Sequence, residues 1–134
     1  MALLRDIVFD CARPAATARF WAAALDGYAV APYDDAELAR LRSMGITSVE
    51  DDPTVLVEAV GGGPRLFFQL VPEGKRVKNR VHLDLVAAEP DADTEAEIRR
   101  LTALGATVQA RYPDNVVLAD PEGNEFCLSL RSAL

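Results

Sequence analysis

Basic residues are in the minority in this chain, and long apolar runs are missing altogether. Fourteen Lys and Arg stand against 21 Asp and Glu, a net charge of −7. Contact with phosphates needs concentrated Lys and Arg, so this balance argues against a nucleic-acid partner. It equally opposes docking on an anionic membrane surface, and it says little about small-molecule substrates. No stretch approaches the roughly 18 apolar residues of a membrane span. The opening segment, MALLRDIVFD, has neither the apolar core nor the small-residue cleavage site of a secretory signal. Cysteine is scarce: Cys11 and Cys127 are the only two. A cytoplasmic protein with reduced thiols is the expectation. Histidine is scarcer still. His82, in VHLDL, is the only one, which leaves three roles for it: metal ligand, acid–base group, or a pocket or core residue with its ring nitrogens satisfied.

What is present is core material. Half of the 134 residues are hydrophobic and 26% are charged, as in a globular domain. LLRDIVFDC alternates as a strand does. RPAATARFWAAALDGY reads as a helix with Pro14 in its first turn and Trp21, Ala24, Leu25 and Tyr28 as the apolar stripe, ending near Gly27. YAVAPY is a short strand. DDAELARLRSMG is a second short helix, N-capped by Asp34 or Asp35, with Gly45 at its end. TVLVEAV and RLFFQLV are strands either side of GGGP. PEGKRVKN is polar and aperiodic, hence a linker.

The order then repeats. RVHLDLVA is a strand, DADTEAEIRRLTALG a helix with Ile98, Leu101 and Leu104 inward, and ATVQARY, NVVLA and NEFCLSL are three strands. DPEG places Asp120, Pro121 and Gly123 as a type I turn prefers. Asp6 to Gly27 spans 21 residues and His82 to Gly105 spans 23. The chain therefore reads as strand–helix–three strands, twice: a single domain over 1–134, with module one at about 1–73, a linker at about 74–79 and module two at about 80–134.

Strand periodicity sorts the side chains into faces. Ile7 and Phe9, then Leu66, Phe68 and Leu70, then Val81, Leu83 and Leu85, then Phe126, Leu128 and Leu130 should meet helices. That leaves Asp6 and Asp10, Phe67 and Gln69, His82 and Asp84, and Glu125, Cys127 and Ser129 on the opposite faces. Short polar groups with an aromatic among them suit a partly apolar pocket; a wet sheet face or a dimer interface would also accommodate them.

Taken together, the repeated module, ARFWAAALDGY, RVHLDL, LTALGA and LADPEGNEFCL resemble the vicinal oxygen chelate superfamily, the group of glyoxalases, bleomycin-resistance proteins and extradiol dioxygenases, and most closely its glyoxalase-like domain branch. The resemblance covers nearly the whole chain. It implies an α+β fold of two βαβββ modules, a curved mixed sheet around a funnel-shaped pocket with helices on the outer face. It also implies one divalent metal that chelates neighbouring substrate oxygens and acts as a Lewis acid. Carried over position by position, the implied ligands are Asp6, Gln69, His82 and Cys127. Asp6 lies seven residues before Arg13, which stands where the family usually has an aspartate. Cys127 stands where the family usually has the Glu of DPxGNxxEL. Zinc tolerates such a mixture of N, S and O donors best. The lost His/Glu pattern equally suits a relative that binds its ligand without metal, and it speaks against true glyoxalase I activity.

The expected function is thus a small-molecule-binding protein of the glyoxalase-like type, carrying out a lyase, isomerase or dioxygenase-type step on an oxygen-bearing molecule if it is an enzyme. The alternative is a drug- or metabolite-sequestering protein of the bleomycin-resistance type, and a third reading is an accessory module with a vestigial pocket. His82 and Glu125 are the catalytic candidates. Asp6, Asp10, Phe67, Gln69, Asp84 and Cys127 are the pocket candidates. Family relatives pair as dimers, so a homodimer is expected. Trp21 reads as core. Lys75, Arg76, Lys78 and Arg80 read as a solvated linker or an anion-attracting rim. The segment from Tyr33 to Pro53 reads as a lid, a pocket mouth or surface decoration.

Overall fold

Phe9 and Phe68 stack with ring centroids 5.0 Å apart, and Trp21 closes on Phe9 at 5.4 Å. These three rings are the centre of the first half of the chain in this computed structural model, which describes residues 1–130. The chain divides into two compact units, Met1–Gly74 and Lys75–Leu134.

The first unit runs β1 (Asp6–Cys11), α1 (Pro14–Ala24), β2 (Tyr28–Val30), α2 (Asp35–Ser43), a 3-10 turn at Val49–Asp51, β3 (Thr54–Ala59) and β4 (Arg65–Leu70). Its sheet has the order β1-β4-β3-β2. β1 and β4 are parallel and the other pairs antiparallel. The second unit runs β5 (Asp84–Val86), α3 (Thr94–Leu104), β6 (Thr107–Arg111), β7 (Asn115–Ala119) and β8 (Glu125–Ser129). Its sheet has the order β5-β8-β7-β6, again with the first strand parallel to the last. The fold is α+β: two mixed four-stranded sheets and three helices, with the same strand order in each half.

Local chemistry explains the elements. α1 starts on Pro14, whose missing N–H would have no intrahelical partner there. Trp21 and Ala24 are buried as expected, whereas Leu25 and Tyr28, the rest of the expected stripe, lie beyond the helix, and Phe20 is buried as well. The helix ends at Ala24, earlier than Gly27, because Leu25 is already extended. Asp34 caps α2 by accepting from Glu37 N–H at 2.9 Å, and Asp93 caps α3 by accepting from Glu95 N–H at 3.0 Å. Gly105 ends α3 at φ 122°, a conformation that side chains resist. The DPEG turn closes through Gly123 N–H to Asp120 O, and the buried Asp120 carboxylate also accepts from Glu122 and Asn124 N–H.

Four expectations are corrected. The first strand of module two begins at Asp84 rather than at Arg80. Its partner β8 starts only at Glu125, whose side chain and carbonyl are taken by Asn79, so the earlier residues have little ladder to join. Val81 is consequently 79% exposed rather than packed on a helix. Leu70, at the end of β4, and Leu104, in the last turn of α3, are also exposed, because each lies where its element runs out of packing partners. Among the described residues no helix is long and apolar enough to cross a membrane.

Candidate functional site

The parallel register of β5 on β8 sets Asp84 directly beside Cys127. His82 lies two residues before Asp84, and its Nδ1 is 3.1 Å from Asp84 Oδ1. One donor atom from each of His82, Asp84 and Cys127 lies within 4.8 Å of the others, the group among the described residues whose donor types could hold a metal ion. Imidazole nitrogen, carboxylate oxygen and thiol sulfur form the mixed set that zinc accepts, with room for an exogenous ligand beside three protein donors. The donor chemistry therefore fits one divalent ion. The His82 and Asp84 side chains are 38% and 65% exposed, so a solute can reach them. Burial pushes the Cys127 thiol up, and the Asp84 carboxylate adds to the effect as a neighbouring charge and hydrogen-bond acceptor. Without an ion, Cys127 is a protonated thiol rather than a nucleophile.

Glu125 has a different occupation. Burial alone would raise its pKa, but hydrogen bonds from the backbone N–H of Asn79 and of Glu125 itself, with the Lys75 ammonium, outweigh it and hold the carboxyl down to about 2. Asn79 N–H donates at 3.0 Å, and Lys75 Nζ stands 3.1 Å from Oε2. The side chain is only 15% exposed. Such a carboxylate holds no proton near neutrality and is tied in place, an arrangement that anchors the linker to β8 and offers little to proton transfer. Lys75, expected in a solvated linker, is the other half of this anchor and also donates to Val77 O; Arg76, Lys78 and Arg80 are exposed.

In the first unit the parallel register of β1 on β4 pairs Asp6 with Arg65 and Asp10 with Gln69. Arg65 Nε donates to Asp6 Oδ1 at 2.7 Å and Arg5 Nε to Oδ2 at 2.8 Å. The Arg65 hydrogen bond lowers the Asp6 pKa, against a smaller opposing effect of burial and with help from Arg5. Both Asp6 oxygens are thus engaged by guanidinium groups rather than open to a cation. Gln69 Nε2 donates to Asp10 Oδ1 at 3.3 Å.

Phe67 lines a cleft of about 670 Å³. Its floor comes from one face of β3, where Thr54, Leu56 and Glu58 alternate, with Phe67 opposite Leu56. Its wall comes from Ala31 to Tyr33, from Glu37 and Arg40 on α2, and from Asp52. Tyr33 OH donates to Asp52 Oδ2 at 2.7 Å, and Arg40 lies 3.4 Å away. Burial, then the hydrogen bond and charge of Asp52, push the Tyr33 phenol above the ordinary tyrosine range. The segment from Tyr33 to Pro53 thus contributes Tyr33, Glu37, Arg40 and Asp52 to the cleft wall. Its contributing residues were missed from the sequence, although Glu37 and Arg40 stand at helical i, i+3 spacing and Thr54, Leu56 and Glu58 at strand spacing.

The glyoxalase-like domain model matches residues 6–129, and the chain belongs to that family. Among solved structures it is similar to a glyoxalase/bleomycin resistance protein/dioxygenase family enzyme from Burkholderia phytofirmans PsJN, at 16% identity and TM-score 0.66 over 96% of this chain and 98% of that one. It is similar to the fosfomycin resistance protein FosX from Mesorhizobium loti at 15% identity and TM-score 0.64, over 96% and 91%. A glyoxalase/bleomycin resistance protein from Albidiferax ferrireducens T118 follows at 15% and 0.55, over 97% and 99%. At such identities the likeness is one of fold. No curated protein matches the sequence.

Proposed function

We propose that this protein is a small-molecule-binding member of the glyoxalase-like family that holds one divalent ion, zinc being the best match, on His82, Asp84 and Cys127. The observation that carries this reading is the convergence of these three donors within 4.8 Å. A bound ion would supply Lewis acidity to an oxygen-bearing substrate, as a lyase, isomerase or dioxygenase-type step requires. This chain's own residues then have distinct tasks. Asp84 orients the imidazole of His82 through the 3.1 Å contact. Glu125 and Lys75 hold the linker that leads into the site. Asp84 replaces Asp6 in the ligand set implied by the family resemblance, since both Asp6 oxygens are bonded to arginines. A cytoplasmic homodimer is part of the same proposal.

The occupation of Asp6 also favours a second reading, a metal-independent protein that sequesters a drug or metabolite. Elemental analysis of protein purified without chelator separates the two. Near-stoichiometric zinc, lost in His82→Ala and in Cys127→Ser, supports the first reading. No metal in the native protein, even after incubation with zinc, nickel or manganese, overturns it and leaves the second.

A further inference from the structure

The cleft of about 670 Å³ in the first unit uses none of the three donor residues. Its volume lies within the usual range for small-molecule pockets. The floor is apolar and aromatic: Leu56 and Phe67, directly opposed across β3 and β4. The charges around it are unequal, with three carboxylates, Glu37, Asp52 and Glu58, to one guanidinium, Arg40.

These charges are not equally available. Arg40 Nη2 stands 3.0 Å from Glu37 and 3.4 Å from Asp52, so it is already compensated. Asp52 is 2% exposed and is filled by the Tyr33 hydroxyl, Arg40 and the Thr54 N–H. Glu58 differs. It is exposed, and its side chain has no hydrogen bond or ion pair among the described residues. The charge that acts on it, Arg65, is itself bonded to Asp6 at 2.7 Å. The cleft therefore presents, beside an aromatic floor, a carboxylate with no ion-pair partner of its own, since its charged neighbour Arg65 is bonded to Asp6. The Phe67 ring already carries the Arg65 guanidinium 5.3 Å from its centroid, which shows that its π face accepts a cation. An anionic ligand would meet no free positive partner there.

We propose that this cleft is a binding site for an organic cation: an apolar ring system on Leu56 and Phe67 that carries a protonated amine placed against Glu58. The site goes beyond the metal-based reading and does not depend on it.

The test is calorimetric titration of the full chain, treated with chelator, with three probes that share one ring and differ in charge: 1-naphthylmethylamine, 1-naphthalenemethanol and 1-naphthoate. Metal content is measured on untreated protein, so the two proposals succeed or fail separately. The amine should bind about five- to tenfold more tightly than the alcohol at low salt, as a semi-exposed charge pair allows, and the carboxylate should bind weakest. Glu58→Gln, at an exposed strand position that leaves the core untouched, should abolish the gap between amine and alcohol while alcohol binding stays the same. Phe67→Ala should weaken both. No binding of the amine, an amine no tighter than the alcohol, naphthoate binding as tightly as the amine, or a Glu58→Gln variant that keeps the amine preference would each overturn the proposal.

Discussion

Replacing Glu125 with Gln keeps the size of the side chain and removes the charge that ties the linker to β8. Burial works against that charge, yet hydrogen bonding from Asn79 and from its own backbone, with the Lys75 ammonium, brings the carboxyl from 4.5 to about 2. A lowered carboxylate pKa means that the folded state prefers the ionised form more than the unfolded state does. Its contribution is therefore complete above the unfolded pKa and is lost as the pH falls through 4.5 towards 2. At about 1.4 kcal/mol per pKa unit the displacement sets an upper bound of about 3.5 kcal/mol at neutral pH, which solvent screening lowers to about 2–3 kcal/mol. Gln retains an oxygen that can accept from Asn79 N–H, so the lower part of that range is expected. The assay is urea unfolding of both proteins between pH 7 and pH 2.5. Glu125→Gln should be less stable at pH 7 and converge with the native protein at the acid end. Equal stability at pH 7, or a deficit that does not change with pH, would refute the reasoning.

Three further outcomes follow from buried groups. Phe68→Ala opens a cavity beside Phe9 in the buried core and should cost about 3–5 kcal/mol in denaturant unfolding. Asp120→Ala leaves the N–H groups of Glu122 and Asn124 without their acceptor in a buried turn, a loss of about 2 kcal/mol, with Asp120→Asn recovering part of it. Tyr33 should resist ionisation in a spectrophotometric alkaline titration, and Asp52→Asn should bring its transition down, since the charge is removed while the burial remains; an unchanged transition would break the link to Asp52.

The elements that sequence alone made legible are those governed by short-range rules. The cap at Asp34, the Pro14 start of α1, the DPEG turn and the faces of β8 depend on neighbours within a few residues. The repeat was visible for the same reason, because each module carries its own copy of the local pattern. The partners of Asp6 and Glu125 were not legible, although their strand faces were. Periodicity says which way a side chain points but not what meets it. Their partners Arg65, Lys75 and Asn79 come from strand register and from the path of the linker.

The sequence by itself thus determined the class of fold, the twofold βαβββ order and the aromatic core around Trp21 and Phe68. Alternation, capping and turn chemistry are local and survive without long-range information. Only the tertiary structure decided that Asp84 stands with His82 and Cys127, that Asn79 and Lys75 bind the Glu125 carboxylate, and that Tyr33, Arg40 and Glu58 border a cleft with Phe67. Each of these depends on pairing between residues far apart in the chain. A one-residue change of register would turn every such side chain to the other face and leave the local pattern unaltered.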